Sequence, residues 1–273
     1  MAKKALNEMS FLDHLEELRW LLVRSSVAIV IMGIVSYFFA DFIFSDLIFG
    51  PTDPSFITYR FFCEASHYLG FADSICITEL NFIIQNTQME GQVNIFVWVC
   101  ITAGFILAFP YILWELWKFI SPALYEKEKK NAKLFIFVAS ILFFFGVLFG
   151  YFVIVPMSVN FLATFSISSV VKNQFSIDSY VSMVKTAVIA CGLYFELPII
   201  IYFLTKLGLV GPNFLRKYRK YAVVIILIIA AIVTPPDVVS QITVAVPMMI
   251  IYEGCIWISA VVEKNKKKDE QTS

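Results

Sequence analysis

Six apolar stretches, separated by polar connections, set the pattern of this chain. They cover Ser25–Phe44, Val93–Leu113, Leu134–Ile154, Val181–Leu204, Tyr221–Val233 and Ile242–Val262. The first four approach the ~20 residues that a helix needs to cross a hydrocarbon core of ~30 Å. The fifth is shorter, and at a rise of about 1.5 Å per residue it gives only ~20 Å of helix. The pattern therefore predicts an all-α integral membrane protein with six transmembrane helices, of which helices 5 and 6 are short.

The fifth stretch has two interpretations. It is either a re-entrant segment or a short helix that Lys217, Arg219 and Lys220 extend by reaching the interface, with local thinning of the bilayer. We favour the short helix, because basic residues precede the stretch and Pro235 and Pro236 follow it.

Composition and charge agree with a membrane protein. Hydrophobic residues make up 59% of the 273 positions and charged residues 15%, against about 45–50% and about 25% in soluble domains. The net charge of zero gives no indication of a nucleic-acid partner. Lys and Arg concentrate in the N-terminus, the second and fourth connections and the C-terminal tail, whereas the other three connections hold only Arg60 and Lys172. This asymmetry predicts that both termini are cytoplasmic.

The organisation predicted from these patterns is a single membrane domain over residues 1–273. Residues 1–24 form a cytoplasmic amphipathic helix that leads into the membrane, since apolar residues recur there at helical spacing. Residues 45–92 form a long periplasmic loop, whose aromatic content predicts an amphipathic structure on the outer membrane surface. Residues 263–273 form a lysine-rich cytoplasmic tail.

Two of the five cysteines, Cys63 and Cys76, share the long outer loop. They form a disulfide if that compartment is oxidising, or remain two unrelated thiols, and their spacing does not decide between these alternatives. The other three cysteines lie in apolar spans, where we expect them to act as small hydrophobes. The spacing of Cys and His matches no zinc pattern, so neither a metal nor a cofactor is expected.

Two glutamates flank the first two spans on the predicted cytoplasmic side. Glu17 comes just before the first apolar stretch and Glu128 just after the second. Two carboxylates beside a hydrocarbon edge suit a ligand with two cations followed by an apolar stretch, a description that a twin-arginine signal peptide meets. The alternatives are a helix-surface charge beside Arg19 for Glu17, and a solvated partner of Lys129 or Lys130 for Glu128.

Other polar residues lie inside or next to the later spans, where such residues are costly. Glu196 lies deep in the fourth span just before Pro198, which predicts a kink, and we expect its carboxyl to be protonated or partnered. It either bonds a neighbouring helix or contacts a partner protein. Gln241 is placed to hydrogen-bond a partner helix, and Glu253 is a further intramembrane acid whose partner the sequence does not reveal.

The turn between the fifth and sixth spans has a structural interpretation. Pro235 and Pro236 end the fifth helix, and Asp237 is placed to cap the sixth. We favour capping over a direct functional role for Asp237.

Nothing in the sequence predicts an enzyme. The chain lacks a phosphate-binding glycine-rich loop, an HExxH motif and an intramembrane aspartate pair, and neither histidine lies in a span beside a nucleophile. A small-solute or ion secondary transporter is the alternative function. Glu196 and Pro198 fit it loosely, but no internal repeat supports it.

Five motifs in order carry a resemblance to a known family. They are HLEELR at His14–Arg19, FISPALYEKEKK at Phe119–Lys130, GYFVIVP at Gly150–Pro156, FELP at Phe195–Pro198 and TPPDVVSQ at Thr234–Gln241. With these motifs on the expected sides of six spans, nearly the whole chain resembles TatC, the multi-spanning subunit of the twin-arginine (Sec-independent) protein translocase.

The resemblance implies a signal-peptide receptor and core subunit that exports folded proteins across the bacterial cytoplasmic (inner) membrane, driven by the proton-motive force. It implies recruitment of single-span subunits of the TatA and TatB type, a homo-oligomer in the receptor complex, and no cofactor. Glu17 and Glu128 match the acids that recognise the paired arginines. Phe119 and Pro122 match the motif that shapes this site, and the site includes Leu18 and Arg19.

The resemblance also assigns roles outside the cytoplasmic site. Glu196 matches an intramembrane acid on the concave side of the helix bundle, implicated in contact with the small subunits. Pro51 matches a proline of the first outer loop, and Asp237 and Gln241 match the outer turn. The longer first outer loop, with its two cysteines, departs from the family pattern.

Overall fold

Helices account for nearly all of the regular structure in the computed structural model of this chain. It describes residues 11–68, 76, 80, 82–121, 132–166, 168, 172–234 and 238–271. The helices, in chain order, are α1 Phe11–Phe38, α2 Ala40–Phe42, α3 Ile57–Tyr68, α4 Gly91–Ile120, α5 Ala132–Phe149, α6 Val155–Thr164, α7 Ile177–Tyr194, α8 Leu197–Lys206, α9 Pro212–Lys217, α10 Arg219–Val233 and α11 Val238–Gln271. Two π-helical turns (Ile43–Ile48 and Gly150–Ile154) and one 3₁₀ turn (Gly50–Thr52) extend the helical segments.

Five helical segments in the described parts of the chain are long and apolar enough to cross a membrane. They are His14–Phe38, Gly91–Ile120, Lys133–Thr164, Ile177–Lys206 and Gln241–Lys266. With α10, they give the six membrane helices that the sequence predicts. The fold class is confirmed: this is an all-α, multi-pass membrane protein.

The fifth membrane helix is short, as predicted, whereas the sixth is long. The fifth span, α10, has 15 residues, so its predicted shortness is confirmed. The prediction of a short sixth helix was wrong, since α11 runs for 34 residues. The helix continues beyond the apolar stretch because the tail after Gly254 contains no further Gly or Pro and is rich in Lys and Glu, which favour helix.

The fourth span is interrupted where the sequence predicts a kink. Helix α7 ends at Tyr194, residues Phe195 and Glu196 form a turn, and Pro198 lies in the first turn of α8. Proline is tolerated at that position because the N–H it lacks would have no intrahelical partner.

Two compact units make up the chain, one of residues 1–43 with 92–142 and the other of residues 44–91 with 143–273. In the first unit, α1 and α4 approach closely at glycines. A Cβ on Gly104 would lie 2.5 Å from the backbone nitrogen of Gly33, so a larger residue at this position would separate the helices.

The second unit joins α7 and α8 to α11 through buried polar pairs. Thr205 Oγ1 donates to Ser259 Oγ at 2.9 Å, and the Tyr194 hydroxyl donates to the Met248 carbonyl at 2.8 Å. Hydrogen bonds between small polar side chains stabilise helix pairs in membranes, where unpaired polar groups are costly.

Two buried tyrosines organise the predicted outer side of the second unit, and we call them, with Pro51, the tyrosine cap. The Tyr59 hydroxyl lies 2.9 Å from the Pro51 carbonyl oxygen and 3.1 Å from that of Pro156. The Tyr180 hydroxyl donates to the Ile48 carbonyl at 2.6 Å. Burial raises the pKa of Tyr59, so its hydroxyl remains a donor. Pro51 is buried in this arrangement, as expected of a structural residue.

A two-stranded parallel sheet connects the first and second outer loops within the second unit. Strand β1 (Ile83–Gln85) pairs with β2 (Gln174–Ser176), with Ile84 opposite Phe175. The first outer loop also contains the amphipathic helix α3, and its location on the outer membrane surface stays a prediction. The sequence analysis did not predict the strands.

Candidate functional site

A buried carboxylate lies between two cations in the first unit. The Glu115 side chain on α4 is 3% exposed, Arg24 Nη1 on α1 lies 3.2 Å from its Oε2, and Lys118 Nζ lies 2.6 Å from its Oε1. We call these three residues the Glu115 cluster. The cluster joins α1 to α4 by an ion pair between residues 91 positions apart.

The charges of the Glu115 cluster do not cancel. One carboxylate meets two cations whose side chains are 52% and 51% exposed, so the cluster carries a net positive charge toward its surroundings. Lys118 Nζ also lies 5.5 Å from the centroid of the Trp114 ring, a cation–π distance. A nearly buried carboxylate without these partners would be costly, so the two cations hold Glu115 in place.

A ring contact adds a second link between α1 and α4. The His14 imidazole stacks on the Phe119 ring, with centroids 4.4 Å apart and planes at 25°. Since His14 begins the HLEELR motif and Phe119 begins the FISPALYEKEKK motif, the stack brings the starts of the two motifs together. Phe119, named as a site residue from the sequence, is half-buried in this contact.

The proposed binding residues of α1 lie on the surface. Glu17, Leu18 and Arg19 are all exposed, on a helix that the Glu115 cluster and the His14–Phe119 stack attach to α4. Glu128 and Pro122 lie outside the described residues. The meeting of Glu17 with Glu128 therefore stays a prediction.

The sequence analysis missed Glu115, although a signal was present. Glu115 and Lys118 lie one helical turn apart immediately after the apolar stretch Val93–Leu113, and α4 continues through both. An acid followed three residues later by a lysine predicts a pair on one helix face. The contribution of Arg24 required the fold.

Glu196 is buried in the second unit. The residue is 6% exposed, at the turn between α7 and α8, and its Oε1 has no hydrogen-bond partner among the described residues. Its main-chain carbonyl accepts from the N–H groups of Ile199 and Ile200, so the residue is also the N-cap of α8. Buried polar atoms normally have a hydrogen-bond partner, and the described residues give this oxygen none.

The two other polar residues singled out in the last spans pair within the chain. Gln241 Nε2 donates to the Leu227 carbonyl at 3.0 Å, joining α11 to α10. Glu253, whose partner the sequence did not reveal, accepts from Arg219 Nη2 at 2.8 Å, with both side chains about half exposed. Pro235, Pro236 and Asp237 lie outside the described residues, so their predicted roles in the turn stay predictions.

In the long outer loop, Cys63 and Cys76 form a disulfide, with Cα atoms 4.5 Å apart. His67 lies beside it: its Nε2 is 3.8 Å from Cys63 Sγ and 3.5 Å from Cys76 Sγ. The sequence analysis found no CxxC or Cys/His cluster with zinc spacing and expected no metal, and that expectation stays a prediction. The three candidate ligand atoms lie within 4.8 Å of one another, because α3 places Cys63 and His67 one turn apart.

Comparison with known proteins gives one consistent match. The family model described as "Sec-independent protein translocase protein (TatC)" matches residues 13–247. A Sec-independent protein translocase protein TatC from Blattabacterium sp. subsp. Periplaneta americana is 44% identical over 269 residues, covering 97% of this chain and 100% of that protein. The protein TatCy of Bacillus subtilis is 34% identical over 268 residues, covering 98% and 95%.

A solved structure agrees with these relatives. The crystal structure of "Twin Arginine Translocase Receptor- TatC" superposes with a TM-score of 0.72 at 31% identity. The match covers 91% of this chain and 99% of that one.

Proposed function

We propose, since this chain belongs to the TatC family of Sec-independent protein translocase proteins, that it is the signal-peptide receptor of a twin-arginine translocase. As a family member it is a non-enzymatic, multi-pass membrane subunit of that translocase, working in a complex with other Tat subunits. The receptor role, its residues and its ligand are the proposal.

The observation that carries the proposal is an exposed Glu17 on a helix whose position is fixed. The stack of His14 on Phe119 attaches the first turns of α1 to α4, and the ion pair of Arg24 with Glu115 attaches the helix further along. A carboxylate on a fixed helix loses little conformational freedom when it binds a ligand, so its binding site is pre-organised.

Arginine fits such a site better than lysine. A guanidinium bonds a carboxylate through two parallel N–H donors, whereas an ammonium is a compact and more strongly hydrated charge. Each charge-assisted bond contributes about 1–3 kcal/mol. Two carboxylates, Glu17 and Glu128, would then bind the two arginines, and a twin-lysine peptide of equal charge would bind more weakly.

The rest of the proposed mechanism follows from the polar residues near the later spans. The apolar part of the signal peptide lies along the helices within the membrane. Glu196 offers its buried Oε1 to a single-span subunit of the TatA or TatB type. Folded proteins are then exported across the bacterial cytoplasmic membrane, with the proton-motive force as the energy source.

Within this proposal, Glu115 acts as a positioning residue. It draws Arg24 and Lys118 together and so fixes α1, which carries Glu17, against α4. It does not itself contact the signal peptide, because its side chain is buried and two cations already occupy its oxygens.

Site-specific crosslinking tests the receptor role. A twin-arginine signal peptide with a photo-reactive group is mixed with the purified chain in detergent, alongside a twin-lysine peptide. We expect adducts near Glu17 and Glu128 that are lost with the twin-lysine peptide, with Glu17→Ala or with Glu128→Ala. Glu16→Ala is the matched control, since its side chain points about 100° away from Glu17 on the same helix.

Equal labelling by both peptides, unaffected by either variant, would overturn the receptor proposal. Loss of labelling in Glu16→Ala to the same extent as in Glu17→Ala would show that the charge of the region, and not the Glu17 position, attracts the peptide. That result would also count against recognition of the paired arginines by Glu17 and Glu128.

A further inference from the structure

The outer loop brings together two sulfur atoms and an imidazole nitrogen, a donor set that the translocase function does not use. Cys63 and His67 lie one turn apart on α3, and Cys76 joins them through the disulfide. We propose that reduction of this disulfide converts Cys63, His67 and Cys76 into a zinc-binding site with one coordination position open to solvent or a further ligand.

The geometry of the three atoms matches a tetrahedral site. With Zn–S of about 2.3 Å and Zn–N of about 2.0–2.1 Å, sulfur and nitrogen ligands of one ion lie about 3.6 Å apart. His67 Nε2 lies 3.8 Å and 3.5 Å from the two sulfur atoms. The imidazole is therefore already at ligand distance, and the two sulfurs need only separate to about 3.8 Å once the bond between them is broken.

The chemistry of the donor set favours zinc. Two thiolates and an imidazole are the ligand types that Zn²⁺ takes, and a site with three protein ligands retains a fourth position. Both cysteines are partly exposed and His67 is exposed, so a reductant and an ion can reach the atoms. The other three cysteines are buried free thiols.

The disulfide and the zinc site cannot exist at the same time, because both use the sulfur atoms of Cys63 and Cys76. A dithiol reductant converts the first into the second in two exchange steps. A dithiol reductant attacks one sulfur of the disulfide as a thiolate, and the other cysteine leaves as a thiolate. The second thiol of the reductant then attacks the reductant's own sulfur in the mixed disulfide, and the second cysteine leaves as a thiolate. Two electrons and two protons thus pass to Cys63 and Cys76, while the reductant becomes a cyclic disulfide. Zinc binding then releases the two thiol protons.

Cobalt binding to the purified full-length chain tests the site, because Co²⁺ takes the same ligands as Zn²⁺ and its thiolate complexes absorb visibly. The chain is reduced with a dithiol, separated from it without oxygen, and titrated with Co²⁺. We expect a thiolate-to-cobalt charge-transfer band that saturates at about one ion per chain. The band should disappear when Zn²⁺ displaces the Co²⁺. The oxidised chain, which has the same sequence and fold, should show no band.

Two variants and a control separate this site from other thiols. Cys63→Ser should abolish the band, and His67→Ala should weaken Co²⁺ binding about tenfold or more. Glu64→Gln, next to Cys63 on α3 and outside the donor set, should bind as the unchanged chain does. The absence of a band in the reduced chain, or equal affinity in His67→Ala, would overturn the proposal.

Discussion

The Glu115 cluster joins two helices through full charges, whereas the tyrosine cap joins its segments through neutral hydroxyls that point at backbone carbonyls. The cluster has a nearly buried carboxylate with half-exposed cations, so its strength depends on the charge of each member and on the ionic strength. The cap depends on buried hydrogen bonds, which salt hardly affects. The comparison separates a region whose stability depends on charge and ionic strength from a region whose stability depends on neither.

Removing both cations of the Glu115 cluster should give the largest effect. In the double variant Arg24→Gln/Lys118→Gln, Glu115 stays buried without a cation, at a cost of about 3–5 kcal/mol. We expect a clearly lower apparent melting temperature in detergent. Adding Glu115→Gln should restore much of the loss, because no buried charge then remains. A triple variant as unstable as the double variant would show that packing, not charge, holds α1 to α4.

Removing a hydroxyl from the tyrosine cap should have an intermediate effect. Tyr59→Phe removes a donor and leaves the Pro51 and Pro156 carbonyls without it, at a cost of about 1–3 kcal/mol. The melting temperature should fall by the same amount at low and high salt. Tyr68→Phe is the matched control, since Tyr68 on the same helix is 92% exposed and should change nothing. If the fall in melting temperature of Tyr59→Phe depends on salt, the tyrosine cap does not differ from the Glu115 cluster in the way described.

Much of the fold was predictable because it depends on local sequence. Apolar runs of helical length identified the membrane helices, and Pro198 predicted the interruption next to Glu196. The length of α11 was not predicted, since the limits of an apolar stretch do not set the limits of a helix whose polar residues also favour it. The pairing of β1 with β2 joins two loops about 90 positions apart, and three-residue strands leave little signal in the sequence.

Only those parts of the candidate site that depend on local sequence could be predicted. Glu17 and Phe119 were identified through motifs, whereas the pairing of Arg24 with Glu115 and the stack of His14 on Phe119 required the packing of α1 against α4. At the outer loop, the spacing of Cys63 and His67 on one helix face was readable. The addition of Cys76 to them was not, because chain spacing does not fix a disulfide partner.

Salt should affect the two regions differently, with a smaller effect than either variant above. At about 1 M salt the Debye length falls to about 3 Å, which weakens the exposed side of the Glu115 cluster. The destabilisation caused by the single variant Lys118→Gln should therefore shrink between low and high salt. The measurement is the melting temperature of each chain at both salt concentrations. If the difference in melting temperature between the two chains is the same at both salt concentrations, the Glu115 cluster is as insensitive to salt as the tyrosine cap.

The exposed ion pair between Arg219 and Glu253 should give the smallest effect. Both side chains are about half exposed, and such pairs contribute about 0–1 kcal/mol. Glu253→Gln should leave the melting temperature nearly unchanged, in contrast to the Arg24→Gln/Lys118→Gln variant. A large fall in the melting temperature of Glu253→Gln would show that this half-exposed pair stabilises the fold as strongly as a buried one.

A double-mutant cycle on peptide binding tests the central claim most directly. The affinity of a fluorescent twin-arginine signal peptide for the purified chain is compared with that of a twin-lysine peptide, for the unchanged chain and for Glu17→Gln. We predict that either change alone weakens binding about tenfold, and that both together weaken it less than the product of the two, with a coupling of about 1 kcal/mol. Independent effects, or equal affinities throughout, would contradict recognition of an arginine by Glu17.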